Sequence, residues 1–203
     1  MNIALIGATG FVGSRLLAEL TRRGHQVTAI VRNPEKVLAS AGVSARKGDV
    51  FDRDGLAALI AGHDAVISAV HFSASDPAGL LAAVKQSGVK RYLVVGGAGS
   101  LEVAPGVKLF DTPDFPAMYL DEARKGGVFL DLLKAETALD WSFLSPSALI
   151  QPGERTGKFR LGKDQLLVDA NGNSAISAED YAIALVDELE KPAHSRQRFT
   201  VGY

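Results

Sequence analysis

The 203-residue sequence contains no cysteine. Disulfide bonds, thiolate zinc sites and a thiol nucleophile are therefore excluded, and no metal site is expected. No apolar run approaches the roughly 20 residues that span a bilayer. The first apolar segment, Asn2–Ile6, has no basic region before it, which argues against a secretory signal. We expect a cytoplasmic protein with no membrane partner.

An excess of charge of either sign is also missing. The sequence has 22 Lys and Arg residues and 23 Asp and Glu residues, so its formal net charge is -1 at pH 7. This balance gives no broad electrostatic reason to bind nucleic acid, and we expect a small molecule as the partner. The length fits a single domain over residues 1–203, whose core needs no disulfide or metal. The oligomeric state is left open.

Short β-branched runs alternate with longer segments of helical period. This alternation is typical of βαβ units and predicts an α/β fold, a doubly wound and mainly parallel sheet with helices on both faces. Strands are expected at Asn2–Ile6, Gln26–Val31, Ser44–Lys47, Ala65–Ser68, Arg91–Val95, Trp141–Leu144 and Arg198–Val201. Helices are expected over 11–20, from Asn33 to about Ala41, from Asp52 or Asp54 to near Gly62, over Pro77–Gly88, within Tyr119–Leu139 and over Ala178–Glu190. Residues 152–174 predict a small C-terminal substrate-side region of loops and short strands.

Three glycines, Gly7, Gly10 and Gly13, follow the first strand directly and open the first helix. This spacing predicts a site for the pyrophosphate of a dinucleotide. The first glycine allows a sharp turn, the second a close approach of the backbone to the phosphates, and the third a close packing of helix on sheet. Thr9 can add a hydroxyl donor, and the amides of Phe11 and Val12 lie at the positive end of the helix dipole. The alternative is a glycine-rich turn without a ligand.

The end of the second strand indicates which dinucleotide is bound. NAD-preferring sites carry a carboxylate there for the ribose hydroxyls, whereas this sequence has Val31-Arg32-Asn33. A guanidinium binds a 2′-phosphate with two parallel hydrogen bonds. Arg32 therefore favours NADP(H), with Lys36 or Arg15 as helpers. The alternative is that Arg32 is a solvated loop residue and that NAD(H) is also accepted.

Further cofactor contacts are expected at the ends of later strands, because ligands of open α/β sheets lie beyond the carboxyl ends of the strands. Asp49 and Val50 follow the third strand, where the adenine would lie, although Asp49 could instead cap a turn. Ser68-Ala69-Val70 should pass beside the nicotinamide-side ribose. Gly97, within the glycine run after the fifth strand, completes the predicted set.

Several segments together resemble the atypical short-chain dehydrogenase/reductases, and among them the NADH-flavin reductase-like group. These segments are residues 7–13, 31–34, 48–50, 62–67, 139–146, 152–157 and 177–182. The resemblance implies a Rossmann fold with NAD(P) and, in some relatives, the reduction of flavins or related planar conjugated acceptors such as biliverdin. The chain is more distantly similar to sugar-nucleotide epimerases and to the NmrA-like regulators, which bind a dinucleotide without turnover.

One departure from the larger superfamily concerns its acid–base pair, a Tyr followed four residues later by a Lys. Here Tyr119 is followed at that spacing by Ala123, and Tyr92 by Gly96. Lys125 does not replace the missing Lys, because neighbouring helix positions differ by about 100°. Hydride transfer to a planar acceptor needs mainly orientation. We therefore expect an NAD(P)H-dependent oxidoreductase, with a dinucleotide sensor or an epimerase as alternatives.

No catalytic residue can be assigned from the sequence. His71, Ser100 and Tyr119 are candidate proton donors, but they could equally be a loop histidine, a turn cap and a packed helix residue. The segments Thr112–Pro116 and Gly153–Gly157 are expected to form the rims of the substrate pocket. The aromatic residues that could stack there on a planar ring are Phe110, Phe115 and Phe159.

Overall fold

Strands and helices alternate along the chain in the computed structural model, which describes residues 1–203. The elements in chain order are β1 (Asn2–Ile6), α1 (Phe11–Arg22), β2 (Gln26–Val31), β3 (Val43–Lys47), α2 (Arg53–Ile60), β4 (Ala65–Ser68), α3 (Pro77–Ser87), β5 (Arg91–Val95), β6 (Glu102–Ala104), β7 (Val107–Lys108), α4 (Leu120–Ala135), β8 (Asp140–Ser145), β9 (Leu149–Gln151), β10 (Arg160–Gly162), β11 (Ala175–Ser177), α5 (Ala178–Glu190) and β12 (Gln197–Gly202). None of the helices combines the length and apolar character that a membrane-spanning segment requires.

Eight strands form the central sheet, in the order β10-β12-β8-β5-β4-β1-β2-β3. Seven of them are parallel, and β10 pairs with β12 antiparallel. The strand order reverses between β1 and β4, since the chain builds β2 and β3 on one side of β1 before it returns to the other. Ligands of doubly wound sheets bind at such a switch point. The predicted fold class is confirmed.

The strand residues alternate between two hydrophobic clusters, one on each face of the sheet. Ile3 and Leu5 belong to the cluster beneath α1 and α5, whereas Ala4 and Ile6 belong to the cluster beneath α2, α3 and α4. Both faces are covered, which explains why the strands read as continuous apolar runs. This layering leaves the loops at the two ends of the strands available for binding.

The helix predicted from Asn33 to about Ala41 is wrong. The structure has only a 3-10 turn, Pro34–Lys36, and the Asn33 side chain forms no capping hydrogen bond. Leu38 is 86% exposed, so the segment has no apolar stripe that a core could bury. The sequence interpretation also missed the short β6–β7 hairpin, which turns at Gly106 with a positive φ of 75°, and the parallel pairing of β9 with β11.

A buried carboxylate joins the C-terminal helix to the sheet. Glu188 on α5 accepts hydrogen bonds from Arg91 of β5 at 2.9 Å and from Ser142 of β8 at 2.9 Å, and its other oxygen lies 2.7 Å from His194 Nδ1. Burial would raise the pKa of Glu188, but the hydrogen bonds from His194 and Ser142 outweigh it and hold the pKa below its usual value. Three elements that are distant in sequence are thereby fixed together.

Replacing Glu188 by Gln should lower the free energy of unfolding by about 3 kcal/mol at neutral pH, because Arg91 loses its buried partner. The folded pKa of Glu188 is below the unfolded value, so its contribution is present above the unfolded pKa and is lost as the pH falls through the folded pKa. The difference between the two proteins should therefore shrink in acid. Urea unfolding at pH 7 and near pH 3 measures both effects, and Glu35→Gln, at an exposed position, is the control. Equal stability of Glu188→Gln and wild type at pH 7 would contradict this role.

Candidate functional site

The turn between β1 and α1 is built so closely that only glycine fits at two of its positions. Gly7 has a φ of 84°, and a Cβ there would lie 2.4 Å from the Ala69 carbonyl oxygen at the end of β4. A Cβ on Gly13 would lie 2.1 Å from the Gly7 carbonyl oxygen. The Gly7 amide also donates to Ile30 of β2 at 3.0 Å. The turn therefore lies at the switch point, in contact with both neighbouring strands.

Gly10 differs from the other two glycines because the fold itself does not require it. Its φ of -73° suits any residue, and a Cβ would lie 3.3 Å from the Gly7 carbonyl oxygen, which needs only a small adjustment. Gly10 caps α1 without a side-chain hydrogen bond, and no acidic residue lies in the first turn of the helix. The amides of Phe11, Val12 and Gly13 precede the first intrahelical hydrogen bond, and Thr9 is exposed beside them. Free amides at the start of a helix are suited to binding an anion.

Basic side chains gather at the ends of β2 and β3. Arg32 is exposed directly after β2, and Lys36 is exposed in the following turn. Lys47, which the sequence interpretation did not single out, is exposed beside Val31 in the register of the two strands. Arg15 is not a free helper, because it pairs with Glu179 at 3.2 Å and covers the Phe11 ring.

The predicted adenine contacts lie at the end of β3. Asp49 is exposed and one of its oxygens accepts the Phe51 amide at 3.0 Å, so the capping alternative holds for that oxygen while the other remains available. Val50 is half-buried and packs against the cluster beneath α2 and α3. Next to it an open cleft of about 440 Å³ separates the first turns of α2 and α3. Asp52 and Asp76, which cap these two helices, also line the cleft.

The end of β4 contributes backbone rather than a side chain. The Ser68 hydroxyl is buried and lies 2.9 Å from the Tyr92 hydroxyl inside the fold. Ala69 and Val70 are half-buried and contact the Gly7 turn through the Ala69 carbonyl and the Val70 side chain. Of the predicted triplet, these two residues are the ones in a position to pass beside a ligand.

The glycine run after β5 separates into packed and open positions. A Cβ on Gly96 would lie 2.3 Å from the Phe143 ring, and one on Gly99 would lie 2.6 Å from the Ala123 Cβ of α4. A Cβ on Gly97 would meet only the Phe72 ring, at 3.8 Å. The backbone of Gly97 is therefore the part of this run that a ligand can approach. Across the same strand ends, the Ser145 hydroxyl is buried without a hydrogen-bond partner in the chain.

The three proposed proton donors differ in their surroundings. His71 is exposed, with its Nδ1 3.4 Å from Glu122 of α4. Glu122 accepts the Phe72 and Ser73 amides at 2.8 Å each, and so fixes the loop after β4. Sequence reasoning could not have found this contact, because it joins residues 50 positions apart. Tyr119 is exposed immediately before α4.

Ser100 takes part in a contact between distant segments of the chain. It is buried, and its hydroxyl accepts a hydrogen bond from the Arg198 guanidinium at 3.0 Å. The same guanidinium contacts Asp164 at 2.6 Å. Ser100 therefore anchors the loop after β5 to β12 and to the segment after β10.

The expected pocket rim at Gly153–Gly157 is fastened to helices instead. Arg155 forms two hydrogen bonds with the buried Glu19 of α1, at 2.8 and 2.9 Å. Burial would raise the pKa of Glu19, but Arg155 and two neighbouring arginines hold that pKa far below its usual value. The segment also donates its Thr156 and Gly157 amides to Asp180 of α5, at 2.8 Å each. Residues 153–157 thus form a strap across α1 and α5, and the Arg155 side chain is paired within the protein.

The aromatic residues expected to stack on a planar ring are partly committed to packing. Phe159 packs against the cluster beneath α1 and α5. Phe110 lies against Gly99 and Gly127, under the loop after β5. Phe115 is half-buried in the Thr112–Pro116 segment, which leads into Tyr119. The open side of the strand ends is therefore bordered by the loop after β4, the start of α4 and the residues before it.

The glycines of the turn give a prediction that separates folding from binding. Gly10→Ala should leave the melting temperature nearly unchanged but weaken NADPH binding by about tenfold or more, since the methyl group occupies the space in front of the amides. Gly13→Ala, by contrast, should lower the stability by about 1–3 kcal/mol because the turn must open. Thermal unfolding and fluorescence titration with NADPH measure the two effects. A Gly10→Ala protein that binds NADPH like wild type would remove Gly10 from the site.

Known proteins similar to this chain share this arrangement of elements. A structure from Bacteroides thetaiotaomicron, with the suggested activity of an epimerase, is 47% identical with a TM-score of 0.95, over 100% of this chain and 96% of that one. A structure from Streptococcus pneumoniae, SP1627, with the suggested activity of an NADH-flavin reductase, is 38% identical with a TM-score of 0.82, over 100% and 99% of the two chains. The NAD(P)H azoreductase of Xenophilus azovorans is 27% identical over 98% of this chain and 67% of its own length.

The family model described as NAD(P)H-binding matches residues 7–192, from the first glycine of the turn to the end of α5 and the two residues beyond it. The match includes the turn after β1, the basic ends of β2 and β3 and the loops after β4 and β5. The resemblance to NADH-flavin reductase-like and related Rossmann proteins is thereby confirmed. The chain belongs to the NAD(P)H-binding family of Rossmann-fold proteins.

Proposed function

We propose that this protein is an NADPH-dependent reductase that transfers hydride directly to a flavin or a similar planar conjugated acceptor. The observation that carries the proposal is the contact between Gly99 and Ala123, where a Cβ on the glycine would lie 2.6 Å from the alanine methyl group. Ala123 stands where the larger superfamily has its Lys, four residues after Tyr119. Ala123 carries no ionisable group and its methyl group packs against the glycine run, so a Tyr-Lys pair is absent at this contact. Acceptors that take their proton from water suit such a site.

The relatives support the same class of reaction. The suggested activity of the Streptococcus pneumoniae protein is NADH-flavin reduction, and the Xenophilus azovorans enzyme is an NAD(P)H azoreductase. Flavins and azo compounds are both planar conjugated electron acceptors. The suggested epimerase activity of the Bacteroides thetaiotaomicron protein favours a second candidate. An epimerase needs a proton-transferring group next to the nicotinamide, and the chain has no Tyr-Lys pair at the usual spacing to supply one.

The residues of this chain fit NADP(H) in a defined orientation. The amides after Gly10 would bind the pyrophosphate, and Arg32, assisted by Lys47, would bind the 2′-phosphate. No carboxylate lies at the end of β2 to repel that phosphate, although NAD(H) could still bind through the turn. Asp49 with Val50 would hold the adenine. The bound cofactor supplies the hydride, and the protein supplies orientation.

On the nicotinamide side, the chain contributes backbone surfaces and few ionisable groups. Ala69, Val70 and Gly97 would border the nicotinamide half, and the buried Ser145 hydroxyl lies next to it without a partner. His71 is the nearest exposed ionisable side chain on the loop after β4. A flat acceptor ring would stack on the nicotinamide between these surfaces and the start of α4. The cytoplasmic location stays a prediction.

Replacing Arg32 by Glu tests the reaction and the cofactor choice together. In anaerobic stopped-flow mixing of protein and NADPH with FMN, wild type should bleach the NADPH absorbance band rapidly. Arg32→Glu should slow the reaction with NADPH by about tenfold to a hundredfold, because a charge-assisted pair is replaced by repulsion, and should leave NADH unaffected. Lys134→Glu, which makes the same charge reversal in the last turn of α4, is the matched control.

The outcomes separate the candidate functions. Saturable NADPH binding without oxidation by FMN, riboflavin, quinones, azo dyes or biliverdin would reject the reductase and favour a dinucleotide sensor. Such a sensor would recruit a protein partner in only one redox state of the cofactor. Turnover of a sugar nucleotide at unchanged NADPH would favour the epimerase. Equal losses with NADPH and NADH in Arg32→Glu would reject the assignment of the 2′-phosphate site.

A further inference from the structure

A single hydroxyl ties the ends of two central strands to the C-terminal helix. Tyr181 of α5 is fully buried, and its hydroxyl donates to the Leu144 carbonyl oxygen of β8 at 2.7 Å. The Gly96 amide, directly after β5, donates to the same carbonyl at 2.8 Å and lies 3.3 Å from the Tyr181 oxygen. Three groups from three elements therefore meet at one point.

This junction lies directly before two segments that border the nicotinamide half of the proposed cofactor site. Gly96 leads into Gly97, the open position of the glycine run, and Leu144 leads into Ser145, whose buried hydroxyl has no partner. The phosphate turn and the basic ends of β2 and β3 lie on the far side of β4. The junction thus supports one half of the dinucleotide site and not the other.

The hydroxyl is not needed to fill space. A phenylalanine ring would occupy the same volume among the core residues around α5, so a hydroxyl buried here needs another reason. Burial raises the pKa of Tyr181 well above its usual value, so the group stays protonated and remains a donor at every physiological pH. Its two hydrogen bonds offset the cost of removing it from water.

The helix that carries Tyr181 is fixed at both ends. At its start, Asp180 binds the amides of Thr156 and Gly157 in the strap. At its end, Glu188 binds Arg91 of β5. Because the helix is held at both ends, the Tyr181 hydroxyl has a fixed position relative to the sheet. Its hydrogen bonds therefore fix the positions of the ends of β5 and β8.

We propose that Tyr181 is a positioning residue. Its hydroxyl holds the Gly96–Gly97 and Ser145–Pro146 segments in the position that orients the nicotinamide for hydride transfer. The inference deepens the proposed function and rests on it. Tyr181 acts through backbone and does not touch the cofactor. Removing its hydroxyl should affect the nicotinamide half of a bound dinucleotide and leave the adenosine half as it is.

The test compares Tyr181→Phe with wild type in binding NADP+ and 2′,5′-ADP, a ligand that lacks the nicotinamide half. We expect the affinity for 2′,5′-ADP to change by less than about twofold and that for NADP+ to fall by about five- to tenfold. With FMN as acceptor, kcat should fall by about tenfold or more while KM for FMN changes less, because a small misplacement of the reacting groups is costly. Amide hydrogen exchange should increase at residues 96–99 and not across the whole chain.

Tyr203→Phe is the matched control. The Tyr203 hydroxyl is also partly buried and also contacts the start of α5, at Ser177 and Asp180, 2.9 Å from each. Removing it should lower the melting temperature by a few degrees, as removing the Tyr181 hydroxyl should. The affinities for NADP+ and 2′,5′-ADP should stay unchanged. If Tyr181→Phe weakens the two ligands equally, weakens neither, or does not fold, the hydroxyl serves stability alone and the proposal is rejected. If wild type binds neither ligand, the proposed function fails first, and the two failures are thereby distinguishable.

Discussion

The contact on which the binding site depends is the one between the turn after β1 and the end of β4. Gly7 lies so close to the Ala69 carbonyl that no side chain fits, and Gly13 lies equally close to the Gly7 carbonyl. These two approaches bring the first turn of α1 down onto the sheet at the switch point. The amides of Phe11 and Val12, which could bind an anion, lie at the start of this helix. Close packing therefore requires glycine at positions 7 and 13. Of the three glycines, only Gly10 has no packing reason and points to a ligand.

The C-terminal third of the chain gives the site its support. The strap of residues 153–157 binds Glu19 and Asp180, while Glu188 holds Arg91, and Arg198 holds Ser100. Most of its charged groups are thus paired within the protein. This use leaves few ionisable side chains on the proposed nicotinamide side, and it fits the proposed reaction, in which orientation contributes more than acid–base catalysis.

Sequence reasoning succeeded where one local constraint dominates. The buried strands follow from their apolar runs, and the turn follows from the spacing of Gly7, Gly10 and Gly13. It failed for residues 33–41, where an N-cap signal had no apolar face behind it. It could not find the partners of Arg155 and Ser100, because Glu19 and Arg198 are about a hundred or more positions away and nothing local marks the pairing. Tyr181 lies in the predicted last helix, but the role proposed for its hydroxyl depends on contacts with the ends of β5 and β8 that the sequence does not show.

The contact between Gly99 and Ala123 links the fold to the choice of chemistry. A Tyr-Lys pair of the kind used in the larger superfamily would need a Lys four residues after Tyr119, at position 123 of α4. Position 123 is instead an alanine, whose methyl group packs against Gly99. In the proposed reaction, the proton needed after hydride transfer would come from solvent or from an exposed side chain such as His71. An acceptor whose reduced form is readily protonated by water requires no more than this, whereas an alcohol or a sugar would. For the proposed reaction, the alanine at position 123 therefore favours planar conjugated acceptors over alcohols and sugars.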